Sequence, residues 1–247
     1  MLNCFKQIGF SDIKNKTEEE LCGSVIIGLD IDWASDFILE DTLLLASECG
    51  IKPTIFLTHE SPLIHKIFKE KKYEFGLHPN FEKLLNGDDS NGLDAADVLN
   101  RLIHPFPNVD IVRSHCLTTS SRLKALFRSN NFSVESSFIT HGTKRKFPNF
   151  WTEWTGITHV PITWEDDAWF TLEEGEIGAR SSSILQFDML NVLTFHPIHL
   201  FLNTTDAVHY NASKEFINNP KELIKFRKTE EFGVRKIFSN IGKMING

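Results

Sequence analysis

The segment Ser24-Val-Ile-Ile-Gly-Leu-Asp30-Ile-Asp32 constrains this chain more than any other. It is an unbroken apolar run, and it ends in two acids. A strand covered on both faces, as in a parallel sheet, reads this way because it has no solvent face on which to alternate. The next segments fit the same architecture. Asp36 to Cys49 carries Ile38, Leu39, Thr42, Leu43 and Ala46 at helical spacing. Asp36 is placed to cap its start and Gly50 to follow its end. Pro53 to Thr58 then reads as a second strand. Strand, helix and strand within about 35 residues make a βαβ unit.

The alternation continues. Strands are predicted at Tyr73–Leu77, Val109–Arg113, Phe132–Ser136, Ile157–Thr163 and Met189–Phe195. Helices are predicted at Pro62–Lys72, Asp94–Ile103 and Ser120–Asn130, with a last one from Pro220 through Phe226. About seven strands alternating with helices argue for a parallel α/β sheet, closed or open. A chain of 247 residues suits one such unit, with a core over residues 24–200 and C-terminal helices to 247. The linker-like stretch Asn86–Gly92 is too short to separate domains.

Composition removes several classes. Hydrophobic residues at 41% and charged residues at 24% exclude a disordered chain or a coiled coil. Asp and Glu number 33 against 26 Lys and Arg, a balance that argues against nucleic acid as a partner. No apolar stretch reaches the roughly 18 residues of a membrane span, so stable membrane insertion is not expected. The start, MLNCFKQIGF, does not read as a secretory signal. The four cysteines form no CxxC pair. A reduced, cytoplasmic protein is the natural expectation. Lys144-Arg145-Lys146 reads as a solvated loop.

The polar residues fall in a pattern. Asp30 and Asp32 end the first strand, Thr58 and His59 the second, and His78 the third. Arg113 and His115 follow the fourth, and His196 ends the last strong one. In parallel α/β folds the C-terminal strand ends form one rim, so these residues converge. Asp30 and Asp32 are two apart and share a strand face. Two close carboxylates repel unless a cation or a proton lies between them. Carboxylates with imidazoles are the makings of a hydrolytic metal site. Of the ten histidines, His65, His104, His141 and His209 have no such placement, and His199 reads as structural.

A DxD pair alone serves three chemistries. One is a phosphatase of the haloacid dehalogenase type with Asp30 as nucleophile, supported by Thr58 and by Glu165-Asp166-Asp167. The second is a nucleotide-sugar glycosyltransferase, for which no diphosphate cradle is visible. The third is a metal-dependent deacetylase. Five segments favour the third. They are Gly28-Leu-Asp30-Ile-Asp32-Trp33, Lys52-Pro-Thr-Ile-Phe-Leu-Thr58, Tyr73-Glu-Phe-Gly-Leu-His78, Val112-Arg113-Ser-His115 and Phe195-His196-Pro197. In order and spacing the chain resembles the polysaccharide deacetylase (NodB-like) superfamily, and within it the WbmS-like group of bacterial surface-polysaccharide clusters.

That resemblance implies an irregular seven-stranded (β/α) barrel. It implies metal-dependent removal of an N-acetyl or O-acetyl group from a sugar of a surface polysaccharide or its precursor. By the same resemblance Asp32 and His78 hold a divalent metal, preferably zinc, and Asp30 is the general base. His196 protonates the leaving amine and Arg113 orients Asp30. His159 to Asp167 is similar to the segment whose acid pairs with the arginine, which points to Asp167, with Trp164 lining the acyl pocket. Trp33 and Asn80 are further candidate substrate contacts. One departure is plain. The family carries a second histidine shortly after the first, whereas His78-Pro79-Asn80-Phe81-Glu82 has none. His115 is the preferred third ligand, with Glu82 as the alternative. A carbohydrate-binding relic without turnover is the remaining reading.

Overall fold

The computed structural model describes residues 5–141, 148–172 and 184–247. The basic run Lys144–Lys146 lies outside the described residues. Ten short strands form one sheet: β1 (Lys6–Gln7), β2 (Ser24–Asp30), β3 (Thr54–Leu57), β4 (Glu74–Leu77), β5 (Ile111–Val112), β6 (Val134–Glu135), β7 (Trp151–Thr152), β8 (Thr158–His159), β9 (Trp164–Glu165) and β10 (Asn191–Phe195). The order is β7-β8-β6-β5-β4-β3-β2-β10-β9, with β1 beside β2. Every pairing is parallel except β7 with β8.

Where seven strands are expected, ten short ones are present among the described residues, in a curled, mixed sheet. The difference has a physical origin. The stretch read as one strand, Ile157–Thr163, changes partner along its length. Its start, β8, pairs with β6, and just beyond it β9 pairs with β10. Strands β1, β7 and β9 hold two residues each, too few to leave a periodic signal.

Helices cover the sheet: α1 (Glu18–Leu21), α2 (Asp36–Glu48), α3 (Pro62–Glu70), α4 (Glu82–Leu85), α5 (Ala95–Ile103), α6 (Ser121–Ser129), α7 (Asp166–Leu172), α8 (Pro197–Leu202), α9 (Ala207–Ser213), α10 (Pro220–Leu223) and α11 (Val234–Asn246). Ser35, not Asp36, stands at the N-cap of α2, while Gly50 follows it in the left-handed conformation at φ +65°. The helix expected at Pro220 is a single turn, and the longer α11 supplies the C-terminal packing. Its buried residues Val234, Ile237, Phe238 and Ile241 follow helical spacing. Among the described residues no helix is long and apolar enough to cross a membrane.

The strands bury both faces, and the period of two separates them. In β2, Val25, Ile27 and Leu29 join the large cluster under the helices. Ile26 points the other way, into a smaller cluster with Phe10, Phe56, Ile111, Val134 and Val192. Two residues further along this inner face the chemistry changes. Gly28 and Asp30, His78, Arg113, Ser136, Thr194 and His196 continue those same rows. An apolar plug thus fills the lower interior and a polar layer lies above it.

Candidate active site

Arg113 is the centre of the polar layer and is wholly buried. Its Nη1 donates to Asp30 Oδ1 at 2.8 Å and to Thr194 Oγ1 at 2.9 Å. Its Nε and Nη2 donate to the backbone oxygen and hydroxyl of Ser136. The guanidinium lies 4.0 Å from the Phe56 ring centroid, a cation–π stack. Two glycines make this possible. A Cβ on Gly28 would stand 2.7 Å from Arg113 Nη1, and one on Gly76 would stand 2.5 Å from Phe56. The pairing expected between Arg113 and Asp30 is present. The pairing expected between Arg113 and Asp167 is not.

Asp32 reaches the same cleft by another route. Strand β2 stops at Asp30, so shared strand face does not place it. Asp32 and Trp33 adopt left-handed backbone at φ +34° and +56°. The Trp33 amide donates to Thr58 Oγ1 at 3.1 Å, which gives Thr58 a role in holding this turn. Such backbone costs of order 1–3 kcal/mol per residue and survives only where its surroundings enforce it.

Three imidazoles surround the Asp32 carboxylate. His78 Nε2 is 3.3 Å and His115 Nδ1 3.5 Å from Oδ1, and His196 Nε2 is 3.6 Å from Oδ2. Burial works against charge on Asp32, but the neighbouring imidazoles of His115, His78 and His196 hold its pKa well below the usual range. Opposing burial, Asp32 and Glu82 push the His115 pKa up.

Asp32, His78 and His115 each offer one donor atom within 4.8 Å of the others. Asp32 Oδ1 is buried with no hydrogen-bond partner. An orphaned carboxylate oxygen between two imidazole nitrogens is what a divalent cation would satisfy, so these residues fit one. Glu82, the alternative ligand, instead lies 3.8 Å from His115 Nε2.

The opposite wall is built from two histidine–aspartate pairs. His196, at the end of β10, receives Asp166 on both sides: its amide donates to Oδ2 at 2.8 Å and its Nδ1 lies 2.6 Å from Oδ1. Burial disfavours charge on this ring, but Asp166, Asp167 and Asp32 outweigh it and hold its pKa well above the ordinary value. His199 Nε2 lies 2.6 Å from Asp167 Oδ1, and its Nδ1 lies 3.0 Å from Thr204 Oγ1. Burial and the neighbouring carboxylates push Glu165 up to about 7, against the opposing charge of His196.

The resulting cleft encloses about 220 Å³. Asp30, Asp32, His78, Ser114, His115, Cys116, Leu117, Glu165, Asp167 and His196 line it. Asp167 thus faces the cleft but serves His199, and the carboxylate paired with a cleft residue is its neighbour Asp166. The other expected contacts divide. Trp33 is exposed, with its ring centroid 5.1 Å from that of His115. Trp164 is a correction: it is buried in the core against Trp169 and Phe195 and does not line the cleft. Asn80 is also outside the lining, and its Oδ1 accepts the Glu82 amide at 2.8 Å just ahead of α4. Ser136 and Thr194 carry no separate signal in the sequence, and Glu165 and Asp166 stand out there only as part of the run Glu165-Asp166-Asp167. For Asp166 the available sign is its position, where β9 turns into α7.

Comparison with known proteins shows the family of the chain. The profile of the WbmS-like polysaccharide deacetylase family matches residues 27–214. A crystal structure from Bordetella bronchiseptica, of a protein described as a polysaccharide deacetylase involved in O-antigen biosynthesis, superposes with a TM-score of 0.87. The two sequences are 32% identical, over 98% of each chain. A Mycobacterium smegmatis structure described as a polysaccharide deacetylase aligns over 90% of each chain at 15% identity, with a TM-score of 0.45. No curated protein matches the sequence. On the strength of the profile and the full-length match together, the chain belongs to the WbmS-like polysaccharide deacetylase family.

Proposed function

We propose that this protein is a metal-dependent deacetylase acting on an acetylated sugar of a bacterial surface polysaccharide or its precursor, in the cytoplasm. One observation carries the reading. The orphaned Asp32 Oδ1 lies between His78 and His115, and His196 with its partner Asp166 stands opposite. Family membership supplies the reaction class, and the Bordetella relative's description supplies the polysaccharide context. The whole chain acts as one domain in this reading. The architecture is a sheet rolled into seven positions, because residues 158–165 supply both β8 at one side and β9 at the other.

Asp32, His78 and His115 hold the divalent ion, with zinc preferred for two imidazoles and a carboxylate. A bound ion supplies Lewis-acid polarisation of the acyl carbonyl and of the attacking water. Asp30 takes the proton of that water. Its Oδ1 is committed to Arg113, which leaves Oδ2 for the cleft. Arg113 fixes the carboxylate's orientation and does not touch substrate. His196 presents Nε2 to the cleft while Asp166 holds Nδ1, so the Nε2 proton is available to the leaving amine. Asp166 keeps that ring protonated by its charge. Trp33 offers an exposed face at the mouth for the sugar ring.

The phosphatase reading is weaker. Among the described residues no Lys or Arg lines the cleft, whereas four carboxylates do. Apart from His196 and a bound ion, a phosphate dianion would meet carboxylates that repel it, while a neutral acetamido group carries no charge for them to repel. The test is acetate release from a panel of N- and O-acetylated sugars, free and nucleotide-linked, with added divalent metal. Release that disappears in Asp32→Ala and His78→Ala is expected. Metal binding without release from any member of the panel would overturn the enzymatic reading and leave a carbohydrate-binding protein.

A further inference from the structure

A second donor cluster shares His115 with the Asp32–His78 group. His115 turns Nδ1 towards Asp32 and Nε2 towards Glu82. Glu82, His115 and Cys116 each offer a donor atom within 4.8 Å of the others. Their placement comes from three local features. Glu82 opens α4 after the N-cap Phe81, and Asn80 Oδ1 accepts its amide at 2.8 Å. The His115 amide donates to the Pro79 oxygen at 3.0 Å, tying that loop to the histidine. Cys116 and Leu117 then take left-handed backbone at φ +50° and +52°, with both residues at the cleft wall. Cys116 is exposed, so an ion reaches it from solvent.

A thiolate, an imidazole and a carboxylate together select a borderline-soft transition ion over magnesium or calcium. We propose that Glu82, His115 and Cys116 form a second, thiolate-bearing site for a divalent transition ion, joined to the first site through the two nitrogens of His115. Filling it displaces the thiol proton of Cys116 and the Nε2 proton of His115, so binding releases both. The outer ligands are solvent-exposed and the imidazole is shared, so this site fills after the first. It rests on the metal-ligand reading of Asp32, His78 and His115 for the shared ring, and not on the identity of the substrate.

Cobalt titration of the whole protein tests it, with bound equivalents measured by equilibrium dialysis and thiolate coordination read as the near-ultraviolet charge-transfer band. The expected result is a first equivalent without the band and a second that brings it. Cys116→Ser should keep the first equivalent and lose both the band and the second, although Cys22 and Cys49 remain as free thiols. Glu82→Gln should weaken the second equivalent by roughly tenfold and spare the first. A single equivalent with no thiolate band overturns the proposal and leaves Glu82 as the acceptor that orients His115. A band that appears with the first equivalent overturns it too, by placing Cys116 in the first centre. Two equivalents without any acetate release would instead count against the deacetylase reading alone.

Discussion

The two walls of the cleft are built differently. On one, Arg113 with Asp30 and His196 with Asp166 are joined by hydrogen bonds of 2.8 and 2.6 Å. On the other, His78 and His115 stand 3.3 and 3.5 Å from Asp32, and Asp32 Oδ1 has no partner. The first wall is satisfied by the polypeptide itself. The second is three donors facing one another, a geometry that a cation would satisfy. The Asp30 and His196 side chains are therefore held in place by folding, whereas Asp32, His78 and His115 face one another without bonds that fix them.

The strongest way to break this contrast is to remove the ligand side. Asp32→Ala, or chelation of the wild type, should abolish acetate release while leaving the fold intact in circular dichroism. Adding metal at 100 times its Kd should stabilise the wild type by about 2.7 kcal/mol in urea unfolding and leave the variant unmoved.

Weakening the preorganised wall should change rate and pH dependence together. Asp166→Asn should lower kcat by about 10²–10⁴-fold, the range of a lost general acid. The sign of the pH effect comes from the raised His196 pKa. The protonated ring is complete below its ordinary value and is lost as pH rises through the raised one. Asp166→Asn should therefore bring the alkaline limb of the kcat profile down towards neutral pH. An unmoved limb would remove His196 from the role of acid.

Arg113→Met should cost about 3–5 kcal/mol in chemical denaturation, because it leaves the buried Asp30 charge without its partner. Glu165→Gln should act in the opposite direction. Its folded pKa is raised to about 7, so its ionised form opposes folding increasingly as pH climbs above the ordinary carboxylate range. The substitution should stabilise the metal-free protein at pH 8 by at most about 3 kcal/mol and have little effect at pH 4. The smallest change is expected from Asn80→Ala, about 1 kcal/mol for loss of the bond to the Glu82 amide, with KM unaltered. A raised KM there would return Asn80 to the substrate.

Much of the rim is legible in the chain itself. The apolar run ending at Asp30, the strand ends at His78 and His196, and Arg113 two residues beyond Ile111 are all statements about period two and strand termination. Those local rules carry the long buried strands β2 and β10 and the caps at Asp94 and Ser120. They miss the two-residue strands β1, β7 and β9, and they misjudge residues 157–163, where one stretch serves two neighbours.

The chain alone thus determined which residues stand at the rim, because alternation and strand ends are local properties of the backbone. Only the tertiary structure decided how they pair. Asp166 and Asp167 are adjacent and chemically identical, and only the approach of β10 to β9 gives His196 to the first and His199 to the second. Asp32 enters the cleft through a left-handed turn that Thr58 supports from another strand. His115 comes within reach of His78 and Asp32 although it lies 37 residues beyond His78, where β4 and β5 pair side by side. Distances between strands are properties of packing, and one-dimensional spacing does not contain them.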